Sequence, residues 1–473
     1  VVAYFLIVLP MMDSITNPLD EGLLLVYPEL LNKGVLPQRD FESIYPPGSI
    51  WALAAAYKLT GADIFTERTV GMLYQAILIC GLYCLLISQG KITAFTGCLL
   101  STMLLSRIGP AALAWMGALG FSSLCIAILT GPGDLRRRTI IAGLLSGLAV
   151  TWRLDMAPAL LLSMGAYCVL SRCHWRDWLR LGISGFAGIV PLIIHVFVVG
   201  PTAFFTNVYY DPVVRSHGAR TLPLEYVGAY AVELYVLVIL GIAAAIAVGW
   251  AFRAEKTGRA LFVAGLFALG LMPEGLQRGD SAHFTLVAVY AVPLLALAAS
   301  IALRSCIAPL FVAAAVCFCV PQDMAFLRTI HTRDAGCLWV SNGSRQVTGS
   351  IEEQRAVDFL QSHALPGQRL FVGTQDMRYT IGNNIAFYHL FPQLHPATYF
   401  LEFEPHVANR PDSRLASDIT TADWVVLDRT WEDTPEPNTS HVAGPDAPNE
   451  VVRKDFRLVF TSGSFLVYKR AAS

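Results

Sequence analysis

A mainly α, polytopic bundle of about eleven membrane-spanning helices, followed by a small extracytoplasmic α/β domain, is the fold class this sequence predicts. Three observations predict it. Of 473 residues, 55% are hydrophobic and only 15% charged, with a mean hydropathy of +0.52, a composition foreign to soluble globular domains. Apolar runs divided by short polar punctuation continue to residue 320. From residue 321, polar residues, prolines and amphipathic periodicity return. The domains are therefore expected at 1–320 and 321–473. A formal net charge of −1 provides no basic face to displace counterions, so no nucleic-acid partner is expected.

Before Asp13 stand about a dozen apolar residues, short of the roughly 20 that cross a bilayer. A first helix truncated at its start is the expectation, since the charged leading region and small-residue cleavage site of a signal peptide are missing. Further spans are expected near 68–89, 92–106, 111–130, 139–152, 156–171, 181–200, 227–252, 260–272, 284–303 and 305–320. Lys and Arg concentrate in cytoplasmic loops. Arg136, Arg137 and Arg138, then Arg172, Arg176 and Arg180, then Arg253, Lys256 and Arg259, with Lys91 and Arg304, fall on alternate turns, which are read as cytoplasmic. Eight cysteines lie in apolar runs, where Cys behaves as a small hydrophobe; Cys337 alone sits in a polar, extracytoplasmic segment.

The opposite turns carry another kind of charge. They comprise the first loop, 13–67, Arg107 before Gly109-Pro110, Arg153 with Asp155, the loop 201–226, and Gln277-Arg278-Gly279-Asp280-Ser281-Ala282-His283. Here Arg is paired with Asp within two residues, close to hydrocarbon, where charges are partnered or line a cavity. Local salt bridges that pin loops would also explain each pair. The first loop concentrates acid: Asp13, Asp20, Glu21, Glu29, Asp40 and Glu42 against Lys33 and Arg39. His195, inside an apolar run, reads as a hydrogen-bonded core residue, Tyr209 and Tyr210 as interfacial belt residues, and Glu233 as a weaker cavity candidate.

In the tail, Ser350 with Glu353 forms a capping box ahead of a helical pattern reaching His363. Pro366-Gly367 ends it, strands are expected at 369–373 and 422–428, and a terminal hairpin pairs 456–460 with 465–469. Asn342-Gly-Ser and Asn438-Thr-Ser match a glycosylation sequon. No glycine-rich phosphate loop, CxxC pair or nucleophile elbow is found, which gives the tail a supporting or acceptor-contacting role.

Asp20-Glu21-Gly22, then Gly34, Pro37, Arg39-Asp40-Phe41 and Tyr45-Pro46-Pro47-Gly48 together resemble the first extracytoplasmic loop of GT-C glycosyltransferases of the protein O-mannosyltransferase and lipid A aminoarabinose transferase type. Arg278, Asp280 and His283 are similar to an Arg-x-Asp-x-x-His element of bacterial members. The resemblance covers the membrane domain and implies a cell-membrane enzyme, of the bacterial inner membrane. It implies a polyprenyl-phosphate-sugar donor, a lipid, glycan or protein acceptor, and transfer at the extracytoplasmic face. It maps the catalytic acid onto Asp20, with Glu21 beside it. A hydroxyl attacking an anomeric carbon needs a carboxylate to take its proton, and a departing phosphate needs cationic donors, of which Arg is bidentate. Arg107, Arg153 and Arg278 are candidates for the phosphate, with Asp155, Asp280 and His283 orienting them or meeting sugar, and Arg39, Asp40 and Tyr45 as further binding residues.

No metal site follows from spacing and no cofactor is assigned, although Asp20, Glu21 and His283 could meet around a divalent cation. The runner-up reading is a lipid or small-molecule transporter or flippase. Transporters place charges near the midplane and often show internal repeats, whereas here the charges gather at one rim. A non-catalytic scaffold binding envelope polymer is the third.

Overall fold

The computed structural model describes residues 2–14, 18–224, 231–319, 338–430, 432 and 436–471. The expected domain boundary at 320/321 and Cys337 lie outside them. Helices dominate up to residue 319: α1 (Val2–Val8), α2 (Pro18–Asn32), α3 (Gly48–Thr60), α4 (Ile64–Leu86), α5 (Lys91–Ile108), α6 (Ala114–Thr130), α7 (Leu135–Trp152), α8 (Met156–Leu170), α9 (Trp175–Val199), α10 (Pro201–Phe205), α11 (His217–Arg220), α12 (Ala231–Ala251), α13 (Lys256–Gly270), α14 (Met272–Gln277), α15 (Ser281–Ala291), α16 (Pro293–Leu303) and α17 (Ala308–Cys319). Local chemistry sets many of these limits. Asp63 and Asp134 accept from backbone N–H groups in the first turns of α4 and α7, and His174 with Asp177 makes a reciprocal capping box on α9. These caps satisfy donors that a helix leaves orphaned.

Among the described residues, five helical segments are long and apolar enough to cross a membrane: Ile64–Gln89, Trp175–Val199, Ala231–Ala251, Lys256–Gln277 and Ser281–Leu303. The protein is a multi-pass membrane protein. The expected spans at 92–106, 111–130, 139–152 and 156–171 fall on helices α5 to α8, but α6 and α8 have only 17 and 15 residues. Eleven crossings therefore do not follow from length, because turns such as Arg153–Asp155 cut the apolar runs short. Between α7 and α9, Gly143 and Gly147 face Ser184, Gly185 and Gly188 so closely that a Cβ at Gly147 would strike the Gly185 carbonyl. Small residues four apart allow such approach where no hydrophobic force drives helices together.

Two expected loops are largely helical. The first loop contains α2 and α3, and α2 opens with Asp20 and Glu21, where acidic side chains offset the positive end of the helix dipole. The segment 201–226 folds as α10, a π-helix over Thr206–Arg215, and α11; its Pro212 lacks a backbone N–H, which suits the wider turn.

From Leu338, β1 (Leu338–Asn342) and β2 (Arg345–Gly349) form a hairpin about Gly343, whose φ of +62° only glycine takes without strain. The expected strands appear as β3 (Arg369–Thr374) and β5 (Trp424–Asp428), and the expected hairpin as β6 (Phe456–Ser462) and β7 (Phe465–Arg470). With β4 (His395–Pro396) they make one sheet in the order β4-β3-β5-β7-β6, parallel across β4, β3 and β5 and antiparallel beyond. The β1–β2 hairpin and β4 were not anticipated. Ser350 caps the Ile351–His363 helix by accepting from the Glu353 N–H at 3.1 Å. The Glu353 carboxylate accepts from Asn384 at 2.9 Å, and the Ser350 backbone N–H also lowers its pKa. Both sequon amides are also engaged, Asn342 donating to the Leu390 carbonyl and Asn438 to that of Ala219.

Burial raises the Glu353 carboxyl from an ordinary 4.5 to about 7. The unfolded chain therefore loses this proton first, and the stability that the buried neutral acid contributes falls as pH rises from 4.5 to 7, by about 3 kcal/mol at most. Thermal melts of the full chain should show a smaller drop between pH 4.5 and pH 7 in Glu353→Gln than in wild type; an equal drop in both would rule Glu353 out as its source.

Candidate functional site

The first turn of α2 presents two neighbouring carboxylates to different surroundings. Glu21 is buried and forked onto Arg68 of α4, with Nε to Oε1 at 2.7 Å and Nη2 to Oε2 at 3.0 Å; Arg68 also donates to the Met12 carbonyl. Its neighbour Glu67 accepts from the Ala112 N–H at 2.6 Å, which ties α4 to the turn that follows Arg107. Arg107 itself is half-buried in the last turn of α5. Asp20 is half-buried, and its charge adds to the effects, chiefly burial, that raise the pKa of Tyr45 and Glu402.

Tyr45 is the meeting point. Burial pushes its hydroxyl up to about 12, with Arg220 and Arg153 pulling it down and Glu402 and Asp20 pushing it further up. The Arg153 guanidinium lies over the Tyr45 ring at 5.1 Å and over Trp115 at the same distance, a favourable use of ring quadrupoles. Arg153 closes α7 and pairs with Asp155 at 2.5 Å and Glu274 of α14 at 3.0 Å. Burial alone would make it easier to deprotonate, yet the two carboxylates hold its pKa above the ordinary value. Three separated parts of the chain thus converge: the first loop at Tyr45, the α7–α8 turn and α14.

The Gln277–His283 element folds about Asp280, which caps α15 by accepting from the His283 N–H at 2.8 Å and meets the same ring at Nδ1, 2.9 Å away. Burial would raise the Asp280 carboxyl, but the hydrogen bond and charge of His283, with Arg278, hold it below its usual value. Arg278 approaches Asp280 at 3.5 Å and pairs with Glu436 of the C-terminal domain. A parallel bridge between Leu222 and Arg278 sets this element beside Arg220, and Arg220 pairs with Glu404 at 2.7 Å.

The C-terminal domain is stitched into the same region. The Glu42 N–H donates to the Tyr399 carbonyl at 2.8 Å, and the Tyr399 hydroxyl donates to Asn207 at 3.0 Å. Ser216 donates to the Pro405 carbonyl at 2.8 Å. Between these points run Glu402 and Glu404. Burial, followed by Glu404, drives the Glu402 carboxyl well above the usual range, with Arg220 opposing and Asp20 adding. Glu42 is raised by burial and then by Glu404, Glu402 and Asp211; among the described residues neither of its oxygens has a hydrogen-bond partner.

Of the residues singled out in the sequence, Asp20, Tyr45, Arg153 and Asp155 are brought together, and Arg278, Asp280 and His283 form a second knot joined to them through Leu222 and Arg220. Arg39 and Asp40 stand apart: they pair with each other on the surface at 2.8 Å, and Asp40 also accepts from the Leu36 N–H at 2.8 Å, closing a turn. Arg39 holds the Asp40 carboxyl below its usual value. Glu233 is exposed on α12, whereas His195 is buried and bonded to Gln38 at 2.8 Å, the core histidine expected. A cation held jointly by Asp20, Glu21 and His283 does not fit, since Glu21 is held by Arg68 and His283 by Asp280; among the described residues no group of three or more His, Cys, Asp or Glu is placed to hold a metal. Arg220, Glu274, Glu402 and Glu404 were not selected beforehand. Their partners lie far away in sequence, and only Arg220 stood in a segment already assigned to this face.

A mainly helical membrane bundle with an appended α/β domain is a fold that the chain shares with solved glycosyltransferase structures. The chain is similar over its whole length to ArnT from Cupriavidus metallidurans bound to undecaprenyl phosphate, with a TM-score of 0.62, 14% identity and 96% of that chain covered. It is also similar to an Archaeoglobus fulgidus oligosaccharyltransferase in complex with Zn and sulfate, with a TM-score of 0.52 and 11% identity over 99% of this chain and 72% of that one. For arabinofuranosyltransferase AftD from Mycobacteria the TM-score is 0.51 and the identity 14%, over 100% of this chain and 40% of that one. At these identities the likeness is one of fold. No protein-family model and no curated protein matches the sequence.

The adjacent carboxylates of α2 should separate under mutation. Glu21→Gln strands the buried Arg68 charge, a change expected to cost about 3–5 kcal/mol, whereas Asp20→Asn leaves that pair intact. Melting temperature in detergent should fall sharply for the first and little for the second. Equal losses would refute the division of labour.

Proposed function

We propose that the chain is an inverting glycosyltransferase that moves a sugar from a polyprenyl-phosphate donor to an acceptor at the extracytoplasmic rim of the membrane. The observation that carries this reading is the Arg153 guanidinium lying over the Tyr45 ring, with Asp20 among the charges that act on the same hydroxyl. In this reading a sugar ring rests near that aromatic surface with its anomeric carbon between the base and the cation. An acceptor hydroxyl oxygen bonds to that carbon as the bond from carbon to phosphate oxygen breaks. The acceptor proton passes to the Asp20 carboxylate, and the bonding electron pair leaves with the polyprenyl phosphate. One displacement inverts the centre.

Glu21 positions the helix and does not itself react, being committed to Arg68. Phosphate binding falls to Arg153, with Arg220 and Arg278 nearby and Arg107 as a further candidate. The first three are already paired with carboxylates, so phosphate must displace one. Asp155 is the least costly to release, since its side chain is 43% exposed and water can solvate it as it leaves.

Transfer is best measured with a panel of radiolabelled polyprenyl-phosphate sugars, including arabinose, mannose, glucose and galactose, in membranes containing the protein. Asp20→Asn should lower kcat by at least about a hundredfold, the scale of a lost general base, with donor binding preserved. Full activity in that variant removes Asp20 as base, and flipping of the lipid without transfer by wild type favours the transporter instead. Asp155→Asn should lower the donor KM by roughly threefold, as expected for a weak exposed competitor. A raised KM would make Asp155 a donor contact.

A further inference from the structure

The helix that carries Asp20 is held from its far side by the C-terminal domain. Glu29 lies nine residues after Asp20 on α2, on the opposite face and about 13 Å further along the axis. Its Oε1 accepts from Arg345 Nη1 at 2.5 Å and meets His389 Nδ1 at 2.5 Å. Arg345 belongs to β2, and His389 to the short Ala386–Leu390 helix. Arg345 Nη1 also donates to the His389 carbonyl at 2.9 Å and lies 2.9 Å from the ring Nδ1, so carboxylate, imidazole and guanidinium meet at one point. His389 is fully buried and Glu29 is 8% exposed. Burial would raise the Glu29 carboxyl, yet His389 and Arg345 together hold it below its usual value.

Two more contacts fix the same helix. Gly22 packs against Ile385 and Ala386 so tightly that a Cβ there would collide with the Ile385 side chain, and Lys33 Nζ donates to the Pro392 carbonyl at 2.9 Å. Two points along α2, at residues 22 and 29, and a third just past its end, at residue 33, therefore rest on neighbouring parts of the domain, while Glu21 ties the first turn to the bundle.

We infer that Glu29, clamped by Arg345 and His389, is a positioning residue for the transferase reaction. Through it the C-terminal domain sets the rotation and depth of α2, and so the distance from Asp20 to the reacting carbon. This rests on Asp20 being the base. A displacement of about 1 Å in such a group costs up to a hundredfold in rate without altering substrate binding.

The test uses the full-length protein in nanodiscs. Glu29→Ala should lower kcat at least about tenfold with the donor KM within twofold of wild type, and should lower the melting temperature because the half-buried Arg345 loses its carboxylate partner. The double variant Glu29→Ala with Arg345→Met removes that stranded charge: melting temperature should recover and kcat should not. Recovery of both, or an unchanged kcat in the single variant, overturns the positioning role and leaves only a structural one. Should the alanine variant fail to fold, Glu29→Gln offers the same comparison with a smaller loss. Amide hydrogen exchange at residues 18–25 supplies a readout independent of chemistry. It should quicken in both variants relative to wild type even if the transferase reading fails, and unchanged exchange refutes the clamp whatever the activity.

Discussion

A buried carboxylate fixed by a buried guanidinium governs this architecture. Glu21 and Arg68 are both almost wholly removed from solvent, and neither could remain there charged without the other. Because successive residues of an α-helix are turned by about 100°, fastening Glu21 into the bundle fixes the direction in which Asp20 points. The same turn of chain thus performs two tasks that the sequence writes side by side. One acid secures the helix, and its neighbour stays half-buried beside it.

From that anchor the site is assembled by charge and aromatic surface together. Arg153 is buried beside two rings and two carboxylates, which keeps it charged near hydrocarbon, where a lone cation would be expelled or neutralised. Arg220 and Arg278 repeat the device with Glu404 and Glu436, acids contributed by the C-terminal domain. Each guanidinium therefore rests in a compensated state that a phosphate can exchange for another anion. The buried acids around them, Glu42 and Glu402, have pKa values raised chiefly by desolvation, which limits the negative charge that would otherwise repel such a ligand.

Much of this was legible in the sequence, and the remainder was hidden for physical reasons. Apolar runs located the helices because a bilayer demands length and hydropathy. They do not by themselves fix the number of crossings, because turn residues such as Arg153 and Asp155 shorten the helices without greatly changing composition. The Arg–Asp pairs were visible because their members are close in the chain. Arg39 with Asp40 shows the hazard of that signal, as a pair closer still in the chain produced an exposed turn. Glu274, Glu402 and Glu404 carried no signal, since each acquires its meaning from a partner more than a hundred residues away. The appended domain was expected only to support the fold or meet an acceptor. Its sheet was recognisable from alternation and turn residues, but its place against α2 depends on Arg345 and His389, whose link to Glu29 no periodicity could reveal.

The central claim is that α2, the first loop, the α7–α8 turn and the Gln277–His283 element share one polyprenyl-phosphate site. Photo-crosslinking the protein in nanodiscs with a diazirine-bearing polyprenyl phosphate, followed by peptide mapping, tests it most directly. The expected result is labelling confined to peptides containing Asp20, Tyr45, Arg153 and Arg278, competed by unlabelled polyprenyl phosphate. Competable labelling elsewhere in the chain, or none at all, would contradict it.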